Sequence, residues 1–120
     1  MTALQHLNLW STKVSDLTPL AHLTALKSLD LMNTKISDLT PLAQLTALES
    51  LNLWNTQVSD LTPLAQLTAL QRLYLQCTQV SDIAALSALS GLTVYAESWD
   101  QSVALRATLA AGSRVRVKIL

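Results

Sequence analysis

The sequence predicts an α/β solenoid: short parallel strands stacked on one side, brief helical turns on the other, and a different C-terminal segment closing the stack. Three observations predict it. A unit of 22 residues recurs four times, at 4–25, 26–47, 48–69 and 70–91. Leucine fills 27 of 120 positions and phenylalanine none, which asks for many identical small slots rather than one irregular core built around aromatic rings. Within each unit the apolar spacing changes from alternation to a recurrence every three residues, so strand gives way to helical turn.

The period is not accidental. The second unit, LKSLDLMNTKISDLTPLAQLTA, and the third, LESLNLWNTQVSDLTPLAQLTA, differ at five of 22 positions. Each opens L-x-x-L-x-L (Leu4, Leu7, Leu9 in the first), whose last two leucines alternate with polar residues as in a half-buried strand. Next comes Thr12, Thr34, Thr56 or Thr78, whose small hydroxyl can bond turn backbone that would otherwise be buried unpaired. The second half, V-S-D-L-T-P-L-A-x-L in the first three units, reads as a helical turn capped by Thr18, Thr40 or Thr62, with Pro19, Pro41 or Pro63 at its first position. Leu17, Leu20 and Leu23 recur every three residues, which suits a 3₁₀ turn facing the strands. No single unit can bury both halves, so stability must come from stacking each leucine on its copy in the next coil.

The pattern L-x-x-L-x-L-x-x-T-x-V-S-D-L-T-P-L-A-x-L-T-A resembles the 22-residue bacterial leucine-rich repeats of the internalin type, over residues 1–91. That resemblance implies a right-handed solenoid with the parallel sheet on its concave face, short helical or 3₁₀ turns on its convex side, and protein partners held on the concave sheet. Thr stands where many such repeats carry Asn. Members of the family are exported and surface-attached. No signal peptide or wall-anchoring tail is visible here, so the default expectation is the cytoplasm.

The chain divides into the four repeats, 1–91, and a cap, 92–120, of the same domain. The fourth unit replaces Thr-Pro with Ala84-Ala85 and ends Ser90-Gly91, so the array is closing. Residues 92–97 can supply a fifth strand, but Glu97 falls where the last strand leucine would stand, which leaves its register open. Val103, Ala104, Ala107, Leu109 and Ala110 predict a helix over 101–111 ending at Gly112, and the alternation over 114–120 predicts a strand. Its Arg114, Arg116 and Lys118 would face water and deter edge pairing. The chain enters in mid-pattern, so the first coil, with Leu4, Leu7 and Leu9, is expected to pack on a second copy or an upstream domain.

Function is sought among residues that change between copies while pointing outward from the strands. They fall in three columns: His6, Ser28, Ser50, Arg72; Asn8, Asp30, Asn52, Tyr74; and Trp10, Met32, Trp54, Gln76. Trp, Met, Tyr and Arg are enriched where proteins bind one another, so these columns are the expected protein-binding face, centred on Trp10, Met32 and Trp54. Two tryptophans about 9.6 Å apart, at two strand spacings, could also stack sugar units, though no dense Asp/Asn/Gln clamp surrounds them. A recognition or oligomerisation fragment of a larger bacterial protein is a further alternative.

Other classes are disfavoured by composition and geometry. A formal charge of zero removes the long-range pull toward nucleic acid or anionic lipid, and no apolar run reaches membrane-spanning length. His6, Ser28 and Asp30 are the only local grouping of a catalytic kind, but Asp30 lies diagonally beyond Ser28 and no oxyanion nest accompanies them, so no enzyme is expected. Two histidines and the single Cys77 are scattered, and only two glycines exist to form a phosphate loop, so no metal or cofactor is expected. His22, in the place of Gln44 and Gln66, is a solvated surface residue. Asp16, Asp38, Asp60 and Asp82 form a regular column that fits capping of turn N–H groups better than calcium.

Overall fold

A strand of three residues makes too few hydrogen bonds to stand alone, so each coil here depends on the ladder it shares with the next. The computed structural model describes residues 4–80, 82–96, 99–110 and 112–119. Within them run β1 (His6–Asn8), β2 (Ser28–Asp30), β3 (Ser50–Asn52), β4 (Arg72–Tyr74), β5 (Thr93–Ala96), α1 (Trp99–Thr108) and β6 (Arg116–Ile119). All six strands pair in parallel, in chain order, as one sheet. Each crossover between the first five strands returns through a 3₁₀ turn, at Thr18–Leu20, Thr40–Gln44, Thr62–Leu64 and Ala84–Leu86.

The core is a set of leucine columns. Leu29, Leu51 and Leu73 stack in register and continue into Val94 and Val117, and all five are inaccessible or nearly so. Leu42, Leu64 and Leu86, and Leu45, Leu67 and Leu89, do the same from the turns. In the first coil only Leu17 is fully buried: Leu4 is 37% exposed, while Leu7, Leu9, Val14, Leu20 and Leu23 are half-buried. Their copies Leu26, Leu29, Leu31, Ile36, Leu42 and Leu45 are at most 1% exposed. The difference is one neighbouring coil.

Leaving the strand, the backbone turns through a left-handed residue in every coil: Ser11, Asn33, Asn55 and Cys77, with φ between 56° and 60°. Asn tolerates this region better than other non-glycine residues. Here its side chain also ties the coils together, Asn55 Nδ2 donating to Asn33 Oδ1 (2.8 Å) and Asn33 Nδ2 to Ser11 Oγ (3.1 Å). Thr12, Thr34, Thr56 and Thr78 follow, and each hydroxyl donates to the carbonyl three residues back at 2.7–2.8 Å, as their place in the repeat predicts. Thr34 and Thr56 are buried with their bonds made.

The turn caps differ from expectation. Thr18, Thr40 and Thr62 lie inside the 3₁₀ turns and are not their caps. The preceding Asp16, Asp38 and Asp60 accept both the threonine N–H (2.9–3.0 Å) and its hydroxyl (2.6–2.7 Å). A carboxylate two residues upstream reaches both donors at once, which a threonine in the turn cannot. The fourth turn forms without Thr-Pro, because Asp82 accepts the Ala84 N–H (2.8 Å) and the Ile83 N–H donates to Thr108 of α1 (2.9 Å).

The strand register after Leu92 resolves by loss of one residue. In the earlier coils two successive N–H groups converge on one carbonyl: Lys27 and Ser28 on Gln5, Glu49 and Ser50 on Lys27, Gln71 and Arg72 on Glu49. In the last coil Thr93 alone donates to Gln71. Arg72 therefore pairs with Thr93, a step of 21 residues. Leu92 keeps its buried place while Val94 and Ala96 take the two inner strand positions. Ala96, and not Glu97, follows the place of Leu75; Glu97 itself lies outside the described residues.

The C-terminal segment is a helix–strand cap, with shifted bounds. Helix α1 ends at Thr108 and not near Ala111, whose structure is not described; the Thr108 hydroxyl folds back onto the Leu105 carbonyl (2.7 Å), and Gly112, at φ 81°, lies in the turn beyond. The last strand is shorter than expected, Arg116–Ile119, since Arg114 and Val115 precede the pairing. Leu105, Val115 and Val117 close the leucine columns, and Arg106 Nη2 donates to the Val117 carbonyl (2.6 Å), binding helix to strand.

Leu51→Ala, cutting a side chain enclosed between Leu29 and Leu73, is expected to cost about 2–5 kcal/mol in urea unfolding. Leu7→Ala, at the half-exposed equivalent, should cost much less. Equal losses would contradict stacking as the source of stability.

Candidate binding face

Alternation along each strand sends the central leucine into the core and its two neighbours to the other side of the sheet. The register then aligns the neighbours from β1 to β6 into two continuous rows. One runs His6, Ser28, Ser50, Arg72, Thr93, Arg116; the other runs Asn8, Asp30, Asn52, Tyr74, Tyr95, Lys118. The first four members of each are the columns expected from the repeat. Thr93, Tyr95, Arg116 and Lys118 extend them. Sequence spacing does not place them on the face, because Thr93 and Tyr95 follow at a step of 21 residues and Arg116 and Lys118 at a step of 23 with α1 between; the alternating Arg116-Val117-Lys118 is the available signal.

The third column, Trp10, Met32, Trp54 and Gln76, sits just past the strand ends rather than on them. The inter-coil ladder nevertheless runs through this region, with the Ser11 N–H donating to the Met32 carbonyl (2.9 Å) and the Asn33 N–H to that of Trp54 (2.8 Å). Trp10 and Trp54 are 50% and 40% exposed, and Met32, in register between them, is half-buried. Among the described residues Gln76 Oε1 is buried without a donor.

Asn8, Asp30 and Asn52 have a structural task as well as an outward position. Each side-chain Oδ1 accepts the backbone N–H of the residue two on, Trp10, Met32 or Trp54, at 2.9–3.0 Å. These bonds fix the turn that presents the large side chains. At the next step along the row Tyr74 stacks on Tyr95, with centroids 4.6 Å apart and planes 11° from parallel. The row thus changes from short amide and carboxylate groups to a flat aromatic shelf.

His6 and Ser28 are paired directly across β1 and β2, whereas Asp30 faces Asn8 and holds the Met32 N–H. The three are not brought into a relay. Among the described residues no group of three or more His, Cys, Asp or Glu converges as a metal site, and no helix is long and apolar enough to cross a membrane.

On the turns, Asp16, Asp38 and Asp60 are held below the usual carboxylate range, first by the hydroxyl and then by the N–H of Thr18, Thr40 and Thr62. For Asp38 the neighbouring Asp16 and Asp60 push weakly the other way.

The model of the Leucine Rich repeats (2 copies) family matches residues 2–44 and 46–88. Among solved structures, internalin C2 from Listeria monocytogenes is similar at a TM-score of 0.79 and 34% identity, over 99% of this chain and 53% of that one. Internalin F from the same organism gives a TM-score of 0.58 at 24% identity, covering 98% and 41% respectively, and speaks for the fold alone. The chain therefore spans about half the length of the internalin C2 chain it matches. No curated protein matches it by sequence.

A carboxyl whose folded pKa is depressed contributes stability that is whole above the unfolded value, about 3.9, and is lost as pH falls through the folded one. Asp16→Asn/Asp38→Asn/Asp60→Asn keeps an acceptor at each turn but cannot titrate. Its Tm, followed from about pH 6 to pH 2, should fall less steeply on acidification than the parent's; parallel curves would show that these carboxylates do not govern acid stability.

Proposed function

Because the chain belongs to the leucine-rich-repeat family, whose members serve broadly as protein-interaction modules, we propose that it is a non-catalytic module holding a protein partner against its concave sheet face. Trp10 and Trp54 carry the reading. Two large apolar side chains stand exposed on alternate coils, with Met32 in line between them and the polar rows of the sheet beside them. Such an arrangement is what an interface centre requires, with apolar anchors and hydrogen-bonding groups around them. The asparagines behind them hold the turns in place, so little ordering is needed on binding.

A second surface has its own support. The half-buried Leu7, Leu9, Val14, Leu20 and Leu23, with Leu4 more exposed, are the same residues that are sealed in every inner coil. This end takes a neighbour that continues the stack, either a second copy of the chain or a further coil upstream.

Trp10→Ala/Trp54→Ala should abolish capture of protein partners by the immobilised chain while leaving the melting profile close to the parent's. Unchanged capture would move the site off this face. Quenching of tryptophan fluorescence by a glycan panel, without protein capture, would favour the carbohydrate reading. For the first coil, light scattering at micromolar concentrations is expected to show self-association that Leu7→Glu removes. A monomer at every concentration would rule out the second copy.

A further inference from the structure

The chain carries no formal net charge, yet the outward residues of its last three strands are locally cationic. On β4, β5 and β6 the outward residues are Arg72, Tyr74, Thr93, Tyr95, Arg116 and Lys118, three cations and no acid. Arg114 stands beside them, exposed, at the rim of a depression that it shares with Ser90, Gly91, Leu92, Thr93 and Arg116. Among the described residues none of these four cations has a carboxylate partner. Among the described residues the acids of the sheet side are Asp30 on β2 and Glu49 just before β3, one strand away from Arg72, and the aspartate column is on the turns.

We infer that the β4–β6 half of the concave face, with Arg72, Arg116 and Lys118 around the Tyr74–Tyr95 stack, docks an acidic, extended segment of a protein partner. This rests on the concave-face reading above. Arg72 and Arg116 flank Thr93 at two strand spacings, about 9.6 Å, so their guanidinium forks can engage separate carboxylates. Thr93 offers a hydroxyl between them. Lys118 lies in register with Tyr95 and adds a point charge at the edge strand. The two tyrosines each spend one ring face on the other, so no slot opens between them to sandwich a base or sugar ring. A few spaced cations suit a few spaced carboxylates, whereas a nucleic acid would need a longer basic track.

The test uses the intact chain and a fluorescent (Glu-Ala)₅ peptide, with (Lys-Ala)₅, heparin and a single-stranded oligonucleotide as rival probes. The acidic peptide should bind, weaken as salt is raised, and lose at least about tenfold in affinity in Arg72→Glu/Arg116→Glu, and less in Arg72→Gln/Arg116→Gln. Lys13→Glu/Lys35→Glu, exposed cations away from the strands, should leave binding unchanged. No peptide binding by the folded parent, an equal loss in the lysine control, or tighter binding of heparin or oligonucleotide than of peptide would overturn the inference. Protein capture that survives Arg72→Glu/Arg116→Glu but fails in Trp10→Ala/Trp54→Ala would sink the acidic docking site and leave the concave-face reading standing.

Discussion

The leucines of each coil are sealed only where another layer lies against them, and that dependence governs the rest of the structure. A single 22-residue turn is too thin to enclose its own apolar side chains, so burial is achieved only between copies. Leu29, Leu51 and Leu73 are sealed because a coil lies on either side of each; Leu7, with the same sequence context, is not. The same constraint explains the C-terminal segment. Once the repeat stops, something of a different shape must close the columns, and Leu105, Val115 and Val117 do so from a helix and an edge strand.

Stacking at strand spacing brings a second constraint, because each turn buries or crowds backbone groups that need partners. The chain meets it with short polar side chains recurring at set places in the repeat. Asp16, Asp38 and Asp60 hold the 3₁₀ turns, Thr34 and Thr56 satisfy carbonyls inside the coil, and Asn33 and Asn55 occupy the left-handed corner while bonding along the stack. Similar geometry at every step calls for similar chemistry, so the aspartate and threonine places keep one residue type through all four coils, while the left-handed corner takes Ser11 and Cys77 at the two ends of the array. Much of the variation between copies falls in the outward rows and the residues just beyond them. That is why a binding face is to be sought there.

The face is not uniform along its length. At the N-terminal end it offers short polar groups and the exposed Trp10 and Trp54; toward the C-terminal end it becomes aromatic and cationic. A solenoid can carry such a gradient because each coil contributes its own outward residues without disturbing the leucines behind them. Internalin C2 shares the architecture at 34% identity, but the surface chemistry belongs to this chain's own variable positions.

The sequence alone determined the solenoid, the parallel sheet, the 3₁₀ turns and the first four members of each outward row, because a 22-residue period leaves one arrangement that buries all the leucines. It also determined the roles of Thr12, Thr34, Thr56 and Thr78. The tertiary structure alone decided where the period breaks. Dropping one residue from the doubled hydrogen bond before β5 shifts Tyr95 beside Tyr74, the pairing of β6 on β5 beyond the helix then brings Arg116 and Lys118 into the rows, and no local pattern states which residue is dropped. It likewise decided that Asp16, Asp38 and Asp60 hold the turns that Thr18, Thr40 and Thr62 were expected to cap, and that Asn8 and Asn52 steady their tryptophans. Those choices depend on which donor a side chain can reach across two or three residues of bent backbone, a distance that spacing in the sequence does not fix.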